Sequence, residues 1–348
     1  MKYVYGFLLL VIIGVPTFVF MPAPIDSAAY DPPSAPRLTG AFTPNDALKE
    51  TELLAAGLVY GPEDIDVDDE GRIYGGTQDG KIIRILKDGT VETFAETGGR
   101  PLGLHFDSQG NLMVCDAWKG LLSIDAQGVI ETLSTEADGV FTNDLDIDAE
   151  GIIYFTDASH KFHQPEYKLD LMEAKPYGRF MSYDPRTKET HVLLKGLYFA
   201  NGVALSENED FVLVNETYRY RIIRYWLKGE KAGTHELFMD NLPGFPDGIS
   251  SNRKGTFWLA IPAPRNATID NLHTRPFLKD LLAKLPNFLL PKAKPYGLVL
   301  ALDEEGNVTE SLHDADGVHI DGVASVQEHA GYLYMGNLHR DWVGRLKL

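Results

Sequence analysis

Residues 141–157 read FTNDLDIDAEGIIYFTD. An amide and a carboxylate, Asn143 and Asp144, stand before an alternation of apolar positions (Leu145, Ile147, Ile152, Tyr154) that a polar turn interrupts. Period-two alternation on both sides of a turn signal reads as a pair of half-buried strands. The same arrangement recurs as GPEDIDVDDEGRIYGG (61–76), RPLGLHFDSQGNLMVCD (100–116), FANGVALSENEDFVLVNE (199–216), FPDGISSNRKGTFWLA (245–260) and HIDGVASVQEHAGYLYMGN (319–337). Most copies are followed by a second hairpin, such as KIIRILKDGTVETF (81–94), GLLSIDAQGVIETL (120–133) or GLVLALDEEGNVTESL (297–312). Two hairpins make a four-stranded sheet, and six units spaced by about 40 residues predict an all-β, six-bladed propeller. The sixth unit ends in DWVGRLKL (341–348), one strand short. DALKETELLAAG (46–57) is the stretch expected to supply that strand and close the ring.

The residue two places before the apolar position that opens each inner strand is Glu63, Leu102, Asn143, Asn201, Asp247 and Asp321. Five of these six are carboxylates or amides. Inner strands of a propeller surround its axis, so equivalent positions converge at one end of the central channel. Two carboxylates and two amide oxygens (Glu63, Asn143, Asn201, Asp247), without His or Cys, form a hard-oxygen set suited to Ca2+ and poorly suited to zinc. The competing reading is that Asx residues merely cap turns at strand starts; five in register favour the metal. The acidic turns DVDDEG (66–71) and DIDAEG (146–151) resemble the start of a calcium loop, but strands flank them and position twelve after Asp66 is Thr77. They read as hairpin turns.

Composition sets outer limits. The chain has 348 residues and a formal net charge of −18, which argues against nucleic acid or anionic lipid as the main partner. Its one cysteine, Cys115, lies within an apolar run and reads as a buried, unreactive thiol. YGFLLLVIIGVPTFVFMP (5–22) is long and apolar enough to span a bilayer. Residues 1–22 are therefore expected to be a single-pass transmembrane anchor, 23–47 a linker, and 48–348 the propeller on the extracytoplasmic side. A cleaved signal peptide, cut near Ser27-Ala28-Ala29, is the competing reading, and it too exports the protein.

Two insertions interrupt the repeat. Residues 158–180 carry His160 and His163, either substrate contacts or plain loop residues. Residues 262–297 place Leu278, Leu281, Leu282 and Leu285 at helical spacing, extended by Phe288 and Leu289, which predicts an amphipathic lid helix or a membrane-resting surface. His105 reads as a packed core histidine. Asn215, Asn266 and Asn307 head Asn-x-Thr sequons.

FANGVALSENEDFVLVNETYRYRIIRYWLKGEKAG (199–233), DNLPGFPDGISSNRKGTFWLA (240–260) and QEHAGYLYMGN (327–337) resemble the strictosidine synthase-like proteins of the gluconolactonase, paraoxonase and senescence-marker superfamily. The resemblance covers about residues 50–348. It implies a six-bladed propeller with one or two channel calcium ions, whose Glu, Asn, Asn and Asp ligands fall on Glu63, Asn143, Asn201 and Asp247. The departures are informative. The glutamate of strictosidine synthase's condensation aligns with Ala324, and the paraoxonase histidines align with Leu102 and near Asp116. Gly248 stands where many relatives carry Asn. The expected function is a Ca2+-dependent hydrolase of lactones or aryl esters acting on a small-molecule substrate. Asp247 is read as ligand and nucleophile, with Asp321 or His319 as base. A non-catalytic, calcium-stabilised binding propeller is the alternative, and an alkaloid-type condensation ranks below both.

Overall fold

A computed structural model describes residues 15–135, 141–290 and 293–348. Six four-stranded antiparallel sheets follow one another around a ring. Their inner strands are Ile65–Val67, Pro101–Phe106, Thr142–Ile147, Ala200–Leu205, Ile249–Ser251 and Val323–His329. The strand Glu52–Leu54 pairs with Val343–Lys347, Glu52 opposite Arg345, and gives the last blade its fourth member. The ring is thus closed by joining the two ends of the propeller.

One turn chemistry serves many hairpins. The carboxylates of Asp68, Asp107, Asp125, Asp148 and Asp303 each accept the backbone N–H groups two and four residues on. A glycine three residues on takes the positive φ that the turn needs, from 73° at Gly71 to 88° at Gly306. One oxygen of each is committed to its own turn, as in Asx-turns, and in the two calcium-loop look-alikes Asp68 and Asp148 give the other to Tyr74 and Tyr154.

Neighbouring blades are tied by a second set of aspartates. Asp64 and Asp66 accept the backbone N–H of Leu104 and Phe106, while Asp144 and Asp146 accept those of Val203 and Leu205. Strands this close leave no room for side chains at some positions. A Cβ on Gly202 would lie 2.4 Å from the Asp247 carbonyl oxygen, and one on Gly248 would lie 2.7 Å from that of Ala324. Gly248 is therefore a packing requirement here, and no side chain fits in its place.

Several expectations are revised. His105 is not a core residue: it is 30% exposed, with Nδ1 3.1 Å from Asp66 and Nε2 4.0 Å from Asp146. Burial acts against its charge, but Asp66, Asp146 and Asp64 prevail and push its pKa up to about 10. The lid is two short helices, Ala267–His273 and Pro276–Leu282, because Pro276 lacks the N–H to continue the first. Phe288 and Leu289 are exposed and do not extend its packed face. Residues 23–47 are not a free linker. Ala28 and Tyr30 donate backbone hydrogen bonds to the Glu173 and His273 carbonyls, and Arg265 and Asn241 side chains hold the carbonyls of Pro33 and Ser34. Among the described residues no helix is long and apolar enough to cross a membrane; residues 1–14, most of the expected anchor, lie outside them.

Two predictions follow from this packing. Gly202→Ala forces the Asp247 backbone away and should lower the unfolding free energy by about 1–3 kcal/mol, read from denaturant midpoints. His105 has a folded pKa above its unfolded value, so its stabilisation is complete below about pH 6.5 and lost as pH rises through about 10. The stability gap between wild type and His105→Gln should accordingly be widest at pH 6 and shrink by pH 10.5. A gap independent of pH contradicts the ion-pair account.

Candidate functional site

The six residues of the column, Glu63, Leu102, Asn143, Asn201, Asp247 and Asp321, all line one cavity of about 1060 Å³ at the end of the channel. A local irregularity aims three of them. The pairing of inner to second strand slips between Pro101 and Leu104, between Thr142 and Leu145, and between Ala200 and Val203. Leu102, Asn143 and Asn201 sit in these bulges, which turn a side chain out of the strand's regular alternation. Glu63 and Asp247 stand just ahead of their strands instead.

The backbone beneath is fixed. Asn215, fully buried, donates from Nδ2 to the Asp247 carbonyl at 2.5 Å, which Gly202 N–H also reaches at 3.1 Å. This sequon is thus a structural amide, unavailable as a glycan acceptor. Thr156 Oγ1 holds the Asn201 carbonyl at 2.7 Å, and Thr142 Oγ1 that of Asp116, also at 2.7 Å.

The side chains above this frame are only partly satisfied. Asn201 Nδ2 donates to Asp247 Oδ1, and neither Asn201 Oδ1 nor Asp247 Oδ2 has a hydrogen-bond partner among the described residues. Asn143, 5% exposed, makes no side-chain hydrogen bond among the described residues. Glu63 accepts through Oε2 from Arg100 Nη2 at 3.0 Å, and its Oε1 has no partner among the described residues. Four oxygens from four blades therefore face the cavity floor uncommitted. Burial raises the Asp247 pKa well above the usual carboxylate range, and repulsion from Glu63 adds to it against the Asn201 donation. Glu63 is raised by burial against the opposing pull of Arg100. Two buried carboxylates with oxygens to spare, flanked by two amide oxygens, fit a hard divalent cation such as Ca2+. No group of three or more His, Cys, Asp or Glu suited to a metal occurs among the described residues. The donor set here is half amide.

Arg100 carried no signal in the sequence. Its guanidinium is buried, spending Nη1 on the carbonyls of Gly61 and Gly76 at 3.0 and 3.2 Å and Nη2 on Glu63. It supplies one positive charge beside the floor whether or not a metal is present.

The expected bases fare unequally. Asp321 lines the cavity, but both its oxygens are engaged by Arg340, at 2.5 and 2.6 Å. His319 is not in the cavity wall; its Nε2 lies 2.7 Å from the Thr51 carbonyl, beside the closing strand. His160 and His163 also lie off the wall, the first against the Tyr177 carbonyl and the second stacked on Trp118 with ring centroids 5.0 Å apart. Wall residues that the sequence did not single out include His339, Lys168 and His273.

The rest of the wall is apolar. Leu102 packs with Phe141, Phe199 and Tyr218 at the floor. Leu171 and Met172 from the first insertion, and Ile269, Leu272, Leu282 and Leu290 from the second, form the roof. Both insertions thus cover the channel mouth.

Comparison with known proteins agrees with this architecture. Family models described as strictosidine synthase and strictosidine synthase-like, N-terminal, match residues 143–230 and 40–85. The chain is 37% identical to the adipocyte plasma membrane-associated protein of Rattus norvegicus, over 95% of this chain and 94% of the relative. It is 38% identical to the strictosidine synthase-like 6 protein of Arabidopsis thaliana, over 86% and 82%. Among solved structures, a gluconolactonase from Xanthomonas campestris superposes with a TM-score of 0.63 at 17% identity, covering 94% of this chain and 99% of the other. The calcium-binding protein regucalcin from Agrobacterium tumefaciens gives a TM-score of 0.58 at 13% identity, over 85% and 90%.

Removing Arg100 isolates a buried carboxylate. Arg100→Met should cost about 3–5 kcal/mol of stability when divalent cations are chelated. If a cation occupies the floor, added calcium should recover part of that loss, seen as a rise in melting temperature larger than in wild type.

Proposed function

The chain belongs to the strictosidine synthase-like family, and on that premise we propose that it is a Ca2+-dependent hydrolase of lactones or aryl esters. The observation that carries this reading is the set of four uncommitted oxygens, from Glu63, Asn143, Asn201 and Asp247, at the floor of an apolar-walled cavity. Those four residues would hold the metal, and a bound Ca2+ supplies a Lewis acid for a substrate carbonyl oxygen. Asn201 orients the Asp247 carboxylate by holding Oδ1, and the pinned Asp247 backbone keeps Oδ2 toward the cavity. Asp247 is thus the carboxylate placed to attack a carbonyl carbon or take a proton from water. Asp321 orients the Arg340 guanidinium at the mouth in place of serving as a free base. The roof excludes bulk water and favours an acyl or aryl group.

The similarity in fold to a protein described as a gluconolactonase supports the substrate class, and that to regucalcin supports the metal. The apolar segment 5–22, together with similarity to plasma membrane-associated proteins, supports a single-pass anchor with the propeller outside the cytoplasm. A second reading, a calcium-stabilised binding propeller, is favoured by Leu102 at the floor and by Arg100 already neutralising Glu63.

The test is hydrolysis of phenyl acetate and a panel of γ- and δ-lactones by the full chain in detergent, with calcium and with a chelator. Turnover should vanish on chelation and fall by about 100-fold or more in Asn143→Ala and Asp247→Ala. No turnover on any substrate, with calcium still raising the melting temperature, replaces the hydrolase by the binding propeller.

A further inference from the structure

The roof of the cavity carries a cluster of nitrogen donors with unmet capacity. Lys279 and His273 are each 1% exposed, and both belong to the cavity wall. Lys279 Nζ donates to the Ala28 carbonyl at 2.6 Å, and neither it nor Arg219 forms an ion pair among the described residues. Among the described residues, neither ring nitrogen of His273 has a hydrogen-bond partner, nor does Nη1 of Arg219. The Arg219 guanidinium lies between the rings of Tyr30 and Tyr198, 3.6 Å from each centroid, and spends Nη2 on the Ala174 carbonyl.

The nearby carboxylates are already engaged. Glu173 accepts from Lys161 and Tyr177, Asp270 from Arg265 and Tyr220, and Asp280 from the Ser27 N–H. Burial lowers the Lys279 pKa to about 8, Arg219 adding to the effect against Asp280 and Glu173. Burial, then Lys279, Arg219 and Arg265, lower that of His273 to about 3. A buried ammonium beside a guanidinium is costly without a counter-charge. In a chain of net charge −18, a buried ammonium in a cavity wall, with a guanidinium behind it and no carboxylate paired to either among the described residues, is an unusual feature.

We propose that the roof is an anion subsite, in which Lys279 and His273 bind the carboxylate of an aliphatic ligand. Its chain lies along Leu171, Met172, Ile269, Leu272, Leu282 and Leu290, the apolar wall that adjoins the two donors. Arg219 adds its field from behind the wall. The neutral imidazole gives one N–H to the carboxylate, and the ammonium gives the hydrogen bonds that Ala28 leaves free. The subsite shares its cavity with the hydrolase site but needs neither metal nor turnover.

Calorimetric titration of the full chain in detergent, at pH 7 with chelator present, compares octanoate with octan-1-ol. Octanoate should bind about tenfold or more tightly, the margin of a charged hydrogen-bonded head group. Lys279→Met should erase that preference while leaving octan-1-ol affinity unchanged, and Lys279→Arg should retain it. Equal affinities of wild type for the two probes overturn the proposal, as does a folded Lys279→Met protein with its preference intact. Should Lys279→Met fail to fold, the wild-type and Lys279→Arg comparisons decide. Because binding is read without calcium, its failure and a failure to hydrolyse esters are separate results.

Discussion

Inner strands of adjacent blades approach so closely that carboxylates of one blade reach backbone N–H groups of the next. Asp64, Asp66, Asp144 and Asp146 do this, and each such hydrogen bond is worth about 0.5–1.5 kcal/mol, or about 1.5–3 kcal/mol where the carboxylate is charged. The approach fixes the spacing of the blades about the axis. It also brings column residues from six blades to one cavity. A propeller with looser inner strands would still bury its sheet faces but would have no converging site.

At the floor, packing and function pull in opposite directions. Buried carboxylates and amides with spare oxygens are unfavourable unless something satisfies them. The bulges holding Asn143 and Asn201 also interrupt strand pairing. Structure of this kind is commonly retained where a ligand makes up the loss. Arg100 makes up part of it by neutralising Glu63, and the remaining oxygens are those that a divalent cation would meet.

The roof depends on the N-terminal stretch. Ile25 is buried with Phe162, Met172, Ala283 and Leu290, so one cluster joins both insertions to residues 23–47. Lys284 extends the connection by donating to the carbonyls of Phe18 and Val19, at the end of the helical residues 15–20. Residues 15–20 are therefore tied directly to the cavity's cover.

The sequence by itself determined the blade count, the closing strand, the hairpin turns and the column that lines the cavity. Each is carried by local periodicity or by residues at fixed offsets, which survive in one dimension. It did not reveal Arg100, because its partners lie 24, 37 and 39 residues away in the chain. It misplaced His105 in the core, since the two carboxylates that charge it come from blades one and three. His319 shares the approach to Asp321 in sequence, yet the tertiary structure turns it toward Thr51. Residues 23–47 looked like a linker because their contacts are single hydrogen bonds and isolated apolar anchors such as Ile25, which leave no period. Patterns that repeat are local and legible; the charges that pair across blades are decided only when the ring closes.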